Sequence, residues 1–463
     1  MTPCSIGGIE RPNMSETFRF VPGMILPSGE QHEVGVDELF FSTTDAKGVI
    51  EEANSVFVRL SRWPREQLIG AAHNIIRHQM MPGGAFRLMW QTLESGRPFA
   101  AYVHNLANNG SRYDVFATIT PLDDGYLSVR TRPMCPVPFG AAEQIYKEAL
   151  AVEMIAKADG ANRHEAATVG AEKLAELLNA AGFNSYEDFM LETLPAEIEA
   201  REKAGHVMPE CNAEGVYGEM LQTVGQLHQQ LGVAMSDLQN LKDQSTQLQE
   251  ASDVLRGILE ATNEVSEAVN QLPSDSIEKR TLTMPLTLWS SMDAEIRGLT
   301  DELTETLKET SSTASHTRFR IALARLHATM IGNFVAELVT DPAASEITSN
   351  IGLLTRAISQ AIQELNEQAS NYSQQSKKAT DNARQVAGLL QMLVDLLGSW
   401  VAGNEGRELP AEVADIAPKI SEQVERSKQV IEKLESISGP SELPDADQMN
   451  QTVEAMRQIA SQF

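Results

Sequence analysis

Three side chains in the N-terminal part of the chain could together hold a flat, charged ligand. Arg77 and His78 are adjacent, and Trp90 lies in a helical stretch that Pro82 opens. A guanidinium can contact phosphate or carbonyl oxygens, an imidazole can form a hydrogen bond, and an indole can stack on a planar ring. The structural alternative stays open, since an inward tryptophan often packs in a core and an Arg-His pair beside a loop is often solvated. Asn54, at the start of a short helix, could simply cap that helix.

The sequence contains no recognisable catalytic or metal-binding motif. It has no GxxxxGK[ST] phosphate loop, no nucleophile elbow and no HExxH motif. Cys4, Cys135 and Cys211 stand far apart and form neither a CxxC pair nor an even disulfide set, which suits a reducing cytoplasm. His316 lacks the acidic neighbour and the downstream nucleotide-binding domain of a phosphorylated kinase histidine. We therefore expect a protein that is not an enzyme and holds no metal.

The charge balance excludes other classes of function. Among 463 residues, 37 Lys and Arg oppose 64 Asp and Glu, giving a formal net charge of -27. Such a chain repels nucleic acid phosphates and anionic membrane surfaces. The N-terminus lacks a basic start and an apolar run, and about 18 consecutive apolar residues occur nowhere. We expect a soluble, cytoplasmic protein without a membrane-spanning segment.

The elements that would position these residues change in type near residue 137. Residues 1–36 are rich in Pro and Gly and predict a flexible leader. Residues 37–133 predict two strands joined by an Asp-x-Lys-Gly turn, short helices, a longer helix and three further strands. That order is typical of an α+β PAS domain, whose cavity lies between its sheet and its helices.

Residues 37–133 resemble one PAS family in particular. The matching segments are FSTTD (41–45), AN (53–54), FV (57–58), QLIG (67–70), HNIIRH (73–78), MP (81–82), AF (85–86), MW (89–90) and SVRTR (128–132). In this order and spacing they resemble the flavin-binding PAS domains of bacterial aerotaxis receptors of the Aer type. The resemblance covers about a fifth of the chain.

The resemblance implies FAD as the cofactor, with Arg77, His78 and Trp90 at positions associated with flavin binding and Asn54 at a family-typical position. Two segments depart from the family pattern. Residues 77–82 read RHQMMP where relatives have RHPDMP, so Met80 stands at the acidic position and its acceptor is lost. Residues 104–110 read HNLANNG where relatives have KNRRKNG, so cations that could face a diphosphate are absent. Haem is the other cofactor known in PAS domains, and His73, His78 and His104 are its available ligands.

The rest of the chain predicts an all-α region of long helices, as a coiled coil or an antiparallel bundle. Residues 134–212 form a helical connector, 213–272 a coiled-coil helix and 287–463 a helical bundle or output region, with Pro273 and Pro285 bracketing a break. One seam of alternating four- and three-residue steps defines the coiled coil: Leu227, Leu231, Leu238, Leu241, Leu248, Leu255, Leu259 and Val269. Its partner helix could lie in a second chain or in the same one.

The resemblance implies an Aer-like sensor of redox state, oxygen or energy, which we expect to pass a PAS conformational change to a helical interaction region. Its partners would be another protein, bound through the helical region, and a second copy of the chain. The competing class is a ligand-free PAS and coiled-coil scaffolding protein. Residues 318–337 resemble the hairpin tip of methyl-accepting chemotaxis signalling domains only loosely, so we expect bundle core there and no tip-mediated control of a chemotaxis kinase.

Overall fold

A computed structural model describes residues 25–205, 208–209, 211–340, 346–409, 411–436 and 446–463. Most of the predicted leader, residues 1–24, lies outside the described residues, and so does Cys4. Cys135 and Cys211 are both free thiols.

The N-terminal domain is built on a five-stranded antiparallel sheet with the strand order β2-β1-β5-β4-β3. Its elements, in chain order, are β1 Phe40–Asp45, β2 Ile50–Ala53, α1 Ser55–Ser61, α2 Arg65–Leu68, a 3₁₀ turn His73–Ile76, α3 Gly83–Glu94, β3 Phe99–Leu106, β4 Arg112–Leu122 and β5 Gly125–Thr131. The predicted turn between β1 and β2 forms because the Asp45 carboxylate accepts hydrogen bonds from the backbone of Lys47 and Val49, while Gly48 adopts a φ of 77°. The predicted α+β domain is confirmed.

Successive strand residues point to opposite faces of this sheet, and the two faces have different covers. On the first face, Phe40 packs with Phe57 of α1, and α3 lies above β3 and β4. On the second face, Tyr102 and Phe116 pack with helices that follow the sheet in sequence. The sheet is therefore the middle layer of three.

Three helices follow the sheet: α4 Pro136–Ala158, α5 Arg163–Ala180 and α6 Tyr186–Lys203. Asn162 begins α5 with a capping box that Glu165 completes, and the Ser185 hydroxyl caps α6. α4 and α5 form a hairpin, and α5 packs along α3 of the N-terminal domain. α6 contacts β3 on one side and a long helix of the remaining chain on the other.

The remaining chain forms an antiparallel four-helix bundle, in which two shorter helices together occupy the fourth position. Its helices are α7 Gly215–Asn270, α8 Ile277–Thr340, α9 Glu346–Asn404, α10 Ala411–Ala414, α11 Ala417–Glu435 and α12 Ala446–Ala460. α7 packs on α8 and α8 on α9, while α11 and α12 lie in line with one another and close the bundle between α9 and α7. The whole predicted seam from Leu227 to Val269 is buried. The seam of α7 therefore has its partner helices within the chain.

The start of α8 differs from the predicted helix start near residue 287. The helix begins ten residues earlier, at Ile277, and runs through Pro285. Proline removes one backbone donor, but Leu282 and Leu286 on either side of it are buried in the core that α8 shares with α7, α9 and α11. Packing of these leucines outweighs the lost hydrogen bond, so the break reduces to residues 271–276.

The stretch of α8 compared above with a signalling tip lies at the other end of the bundle. Phe319, Leu323, Leu326, Met330 and Phe334 are buried in the core that includes the second face of the sheet. Phe334 meets Phe41 of β1 edge to face at 5.2 Å between ring centroids. This stretch is thus core at the junction with the N-terminal domain, and the turn between α7 and α8 lies elsewhere.

One helix among the described residues, α9, is long and apolar enough to cross a membrane by length and composition. Residues Thr348–Asn404 include an 18-residue window with a mean hydropathy of 1.5. Counting uninterrupted apolar runs missed it because isolated polar residues interrupt the window. In the structure α9 packs between α8 on one side and α11 and α12 on the other.

Candidate functional site

A cavity of about 870 Å³ lies between the first face of the sheet and α3. Its volume is within the usual range of small-molecule and cofactor sites. The polar and aromatic residues that line it are Thr44, Lys47, His73, Asn74, Arg77, Phe86, Arg87, Trp90, Gln91, Glu94, Asn105, Tyr126, Ser128, Arg130, Glu153, Lys157, Arg163 and His164.

Two of the four predicted site residues, Arg77 and Trp90, line this cavity. The Arg77 guanidinium lies 4.3 Å from the centre of the Phe86 ring and donates a hydrogen bond to the Met81 carbonyl at 2.7 Å. Burial, reinforced by the charge of Arg163, lowers the pKa of Arg77 to about 10. Trp90 lies edge-on to Tyr126 with 5.5 Å between ring centroids.

The other two, His78 and Asn54, are turned away from the cavity. His78 is buried beside His104, and its Nδ1 accepts a hydrogen bond from the Met80 backbone at 3.2 Å. Burial, with the nearby His104 and Arg112, lowers the pKa of His78 to about 4. The Asn54 carbonyl accepts from the backbone of Phe57 and of Phe41, and its amide donates to Leu39. Asn54 thus caps α1 and ties it to β1.

Two buried polar residues of the cavity were assigned no role from the sequence. Arg130 is 4 % exposed, and its only hydrogen-bond partners among the described residues are Ser42 and His73. Asn105 is 3 % exposed, and its amide nitrogen has no partner within the described part of the chain. Strand alternation could have found both, since it places Val103 and Asn105 on one face of β3 and Ser128 and Arg130 on one face of β5. Buried donors without acceptors are costly, so this wall suits a ligand that supplies acceptor oxygens.

The histidines considered as haem ligands are engaged otherwise. Burial and the neighbouring Arg130 hold the pKa of His73 well below its usual value, so His73 is neutral and its Nε2 accepts the hydrogen bond from Arg130. His104 lies on the second face of the sheet, where its Nδ1 pairs with Asp114 at 2.6 Å. An engaged Nε2 on the cavity side is a poor axial ligand.

His104, Asp114 and Glu143 converge closely enough to resemble a metal site. Arg112, however, lies among them and donates to Asp114 and to Glu143, both at 2.7 Å. Burial would raise the pKa of Asp114, but hydrogen bonds from His104 and Arg112 outweigh it and lower that pKa. The cluster is an ion-pair network in which the Arg112 guanidinium supplies the positive charge that a metal ion would supply.

The cavity is basic although the chain is acidic. Lys47, Arg77, Arg87, Arg130, Lys157 and Arg163 line it, whereas the only carboxylates in its lining are Glu94 and Glu153. None of these cations comes from residues 104–110. Five of the lining residues come from the α4–α5 hairpin: Glu153, Lys157, Arg163, His164 and Ala167.

Glu153 of α4 joins three helices at one end of the cavity. It is 1 % exposed, and its carboxylate accepts hydrogen bonds from the backbone of Gly83 at 2.9 Å and of Gly84 at 2.7 Å, at the first turn of α3. Gly170 of α5 leaves room for it, because a Cβ there would stand 2.0 Å from Glu153 Oε1. α3, α4 and α5 therefore form one interlocked unit.

The matches named below cover between 22 % and 31 % of this chain. The aerotaxis receptor of Escherichia coli (strain K12) is 39 % identical over 116 residues, which are 24 % of this chain and 23 % of the receptor. A nitrogen fixation regulatory protein of Klebsiella pneumoniae is 31 % identical over 101 residues, 22 % of this chain and 19 % of that protein. The chain thus spans less than a quarter of the length of these relatives, and no family model matches it.

Among solved structures, a LOV protein of Rhodobacter sphaeroides shares 15 % identity and a TM-score of 0.21, covering 31 % of this chain and 89 % of that one. A fungal LOV domain photoreceptor shares 16 % identity and a TM-score of 0.19, covering 23 % and 80 %. The strand order, the helices above the first face and the aerotaxis receptor match agree with one another. The N-terminal domain is therefore a PAS domain resembling that of the aerotaxis receptor, and a long all-helical region follows it.

Proposed function

We propose that the protein is a cytoplasmic redox, oxygen or energy sensor whose PAS cavity holds a flavin, with FAD as the expected form. The observation that carries the proposal is the pair of buried donors, Asn105 and Arg130, which face the same cavity as Trp90 and lack carboxylate partners among the described residues. The carbonyl oxygens and ring nitrogens of an isoalloxazine are acceptors of the kind these donors need. Trp90 offers it an aromatic edge or face.

A route for the signal leaves the cavity along β5. Arg130 contacts the cavity, while Val129, next to it, is buried on the second face of the sheet. The strand continues into residues 132–135, where the backbones of Met134 and Cys135 donate to the Glu197 carboxylate at 2.6 and 3.0 Å. The Tyr102 hydroxyl donates to the same carboxylate at 2.8 Å. A shift of β5 that follows flavin reduction would move α6 through Glu197 and then α8.

The output is binding of a protein partner by the helical region, without catalysis. The acidic composition of α7, which has eight Asp and Glu residues against two Lys and Arg residues, supports this role, and the junction stretch of α8 is committed to core packing. Self-association completes the proposal. Because the seam of α7 is covered within the chain, a dimer would form through other surfaces.

The visible spectrum of the purified full-length protein, before and after reduction, tests the proposal. We expect flavin bands that bleach on reduction, and a loss of at least tenfold in flavin affinity in Arg130→Met and Asn105→Ala. Arg132→Met is the matched control, since Arg132 lies two residues farther along and pairs with Glu33 at 2.9 Å outside the cavity.

Three other outcomes would contradict the proposal. A Soret band would assign haem to the cavity. A folded protein that stays colourless when supplied with FAD would favour the scaffolding alternative. Equal flavin affinity in the wild type and in Arg130→Met would move the flavin away from this wall.

A further inference from the structure

α3 runs along the cavity, so the two ends of the cavity can be named by the two ends of this helix. Trp90 and Tyr126 lie at the end near the C-terminal half of α3, with Gly48 close to the Trp90 ring. Gly83 and Arg87 lie near the helix N-terminus. At a rise of about 1.5 Å per residue, Gly83 and Trp90 are roughly 10 Å apart along the axis.

The α4–α5 hairpin closes the end near the N-terminus of α3. Glu153 binds the first turn of α3, and His164 Nε2 lies 3.1 Å from Arg87 Nη1. The backbones of α3 and α5 are in contact there, because a Cβ at Gly84 would stand 2.3 Å from the Ala171 nitrogen. This end of the cavity is therefore built by the PAS domain and the hairpin together.

Positive charge exceeds negative charge at this end of the cavity. Arg77, Arg87 and Arg163 have no carboxylate within ion-pair distance among the described residues. Glu153 is already held by two backbone N–H groups, and its only cationic neighbour at such a distance is Lys157, at 4.0 Å. The charge of Arg163 acts against that of Arg77. The strand bridge between Arg77 and Asn105 brings the unpartnered Asn105 amide to the same end.

Solvated surface cations would explain one exposed lysine or arginine, but not this arrangement. A chain with a net charge of -27 has many carboxylates that could pair with these groups, yet three guanidinium groups face a shared cavity instead. Guanidinium groups bind phosphate oxygens with planar, paired hydrogen bonds. A buried amide donor beside them adds one more contact for an anionic oxygen.

We propose that this end of the cavity is a phosphate subsite for a flavin nucleotide, formed jointly by Arg77 and Arg87 of the PAS domain and Arg163 of the α4–α5 hairpin. The inference rests on the proposed function and adds which part of the ligand the hairpin contacts. A flavin nucleotide would then bridge the PAS core and the hairpin. Ligand binding in the cavity would then fix the position of the α4–α5 hairpin directly. This would be a second signalling route in addition to the one through β5.

Titration of the flavin-free full-length protein with riboflavin, FMN and FAD, followed by flavin fluorescence, tests the subsite. We expect the wild type to bind FMN and FAD at least tenfold more tightly than riboflavin. Arg163→Gln should reduce the affinity for FMN and FAD about tenfold and leave riboflavin affinity within twofold, and Arg163→Lys should retain most of the affinity. Lys147→Gln, an exposed cation of α4 outside the cavity lining, is the matched control and should change none of the three.

The outcomes separate the subsite from the proposed function. Equal affinities of the wild type for the three flavins, or an equal loss for all three in Arg163→Gln, would overturn the subsite and leave flavin binding intact. Absence of binding of any flavin by the folded wild type would overturn both. Arg163 is exposed at the first turn of α5, so its substitution leaves the fold intact, and an unchanged melting temperature would verify this.

Discussion

The two faces of the PAS sheet are made by the same five strands and have opposite characters. The first face carries Ser128, Arg130 and Asn105 into a cavity, where the Asn105 amide nitrogen has no hydrogen-bond partner among the described residues. The second face is filled, with Tyr102 packed on Phe139 and Phe189 and Phe41 packed on Phe334. A hollow polar face leaves room for a ligand that supplies acceptors, whereas a close-packed face transmits displacement because it cannot deform gradually.

The two faces also differ in how they treat charge. The cavity holds excess cations, and the filled face holds the buried carboxylate of Glu197, which is surrounded by donors. Burial raises the pKa of Glu197, and the hydrogen bonds from Met134, Tyr102 and Cys135 oppose that rise. The hydrogen-bonded Glu197 carboxylate fixes the geometry between the sheet and α6. The cations of the cavity without carboxylate partners could instead bind an anionic ligand. The following predictions test this division.

Glu197→Ala should have the largest effect on stability. The substitution leaves the Tyr102 hydroxyl and two backbone N–H groups buried without an acceptor, which we expect to lower the free energy of unfolding by about 3 kcal/mol. Urea denaturation measures it. Glu192→Ala is the control on the same helix, where an exposed pair with Lys242 contributes less than about 1 kcal/mol. A similar loss in both variants would contradict a special role for Glu197.

Gly170→Ala should disrupt the interlocked helices at the cavity end. The new methyl would overlap the Glu153 carboxylate, so α5 or Glu153 must move, at a cost of about 2 kcal/mol. We also expect weaker binding of FMN, because Arg163 moves with α5. Gly140→Ala in α4 has open space around it and should stabilise the protein by up to about 1 kcal/mol. Thermal unfolding and FMN titration measure both, and an undisturbed Gly170→Ala variant would argue against the interlock.

His327 of α8 gives the filled side a pH dependence. Burial lowers its pKa to about 3, whereas an unfolded histidine titrates near about 6.5. The unfolded chain therefore binds the proton first as the pH falls, and stability is lost below about pH 6.5. Between pH 7.5 and 5.5 we expect His327 to account for about 1 kcal/mol of lost stability, so His327→Leu should show a shallower pH profile by that amount.

The neighbouring substitution Met330→Leu carries no titrating group and serves as the control for this profile. It should follow the wild-type dependence of unfolding free energy on pH. Parallel profiles for His327→Leu and the wild type would show that the imidazole is not kept neutral by its surroundings.

Local chemistry in the sequence determined the elements of the fold. The Asp45 to Gly48 turn, the Asn54 cap and the helix after Pro82 depend on neighbours a few residues apart, and the seam of α7 depends on a regular spacing. These features can be predicted because backbone preference and side-chain periodicity act over a few residues. The PAS resemblance then implied a cavity, and it led to Arg77 and Trp90.

Tertiary packing decided which side chains meet. Glu153 contacts Gly83 and Gly84 although it lies about 70 residues farther along the chain. No local sequence pattern indicates that α4 packs against the first turn of α3. The direction of His78, the intrachain partners of the α7 seam and the helix through Pro285 likewise follow from competition among packed surfaces. The sequence determined a PAS sheet and long helices because their causes are local. Only the folded chain decided that the α4–α5 hairpin adds Lys157 and Arg163 to the cations of the cavity, because that contact depends on how α5 packs against α3.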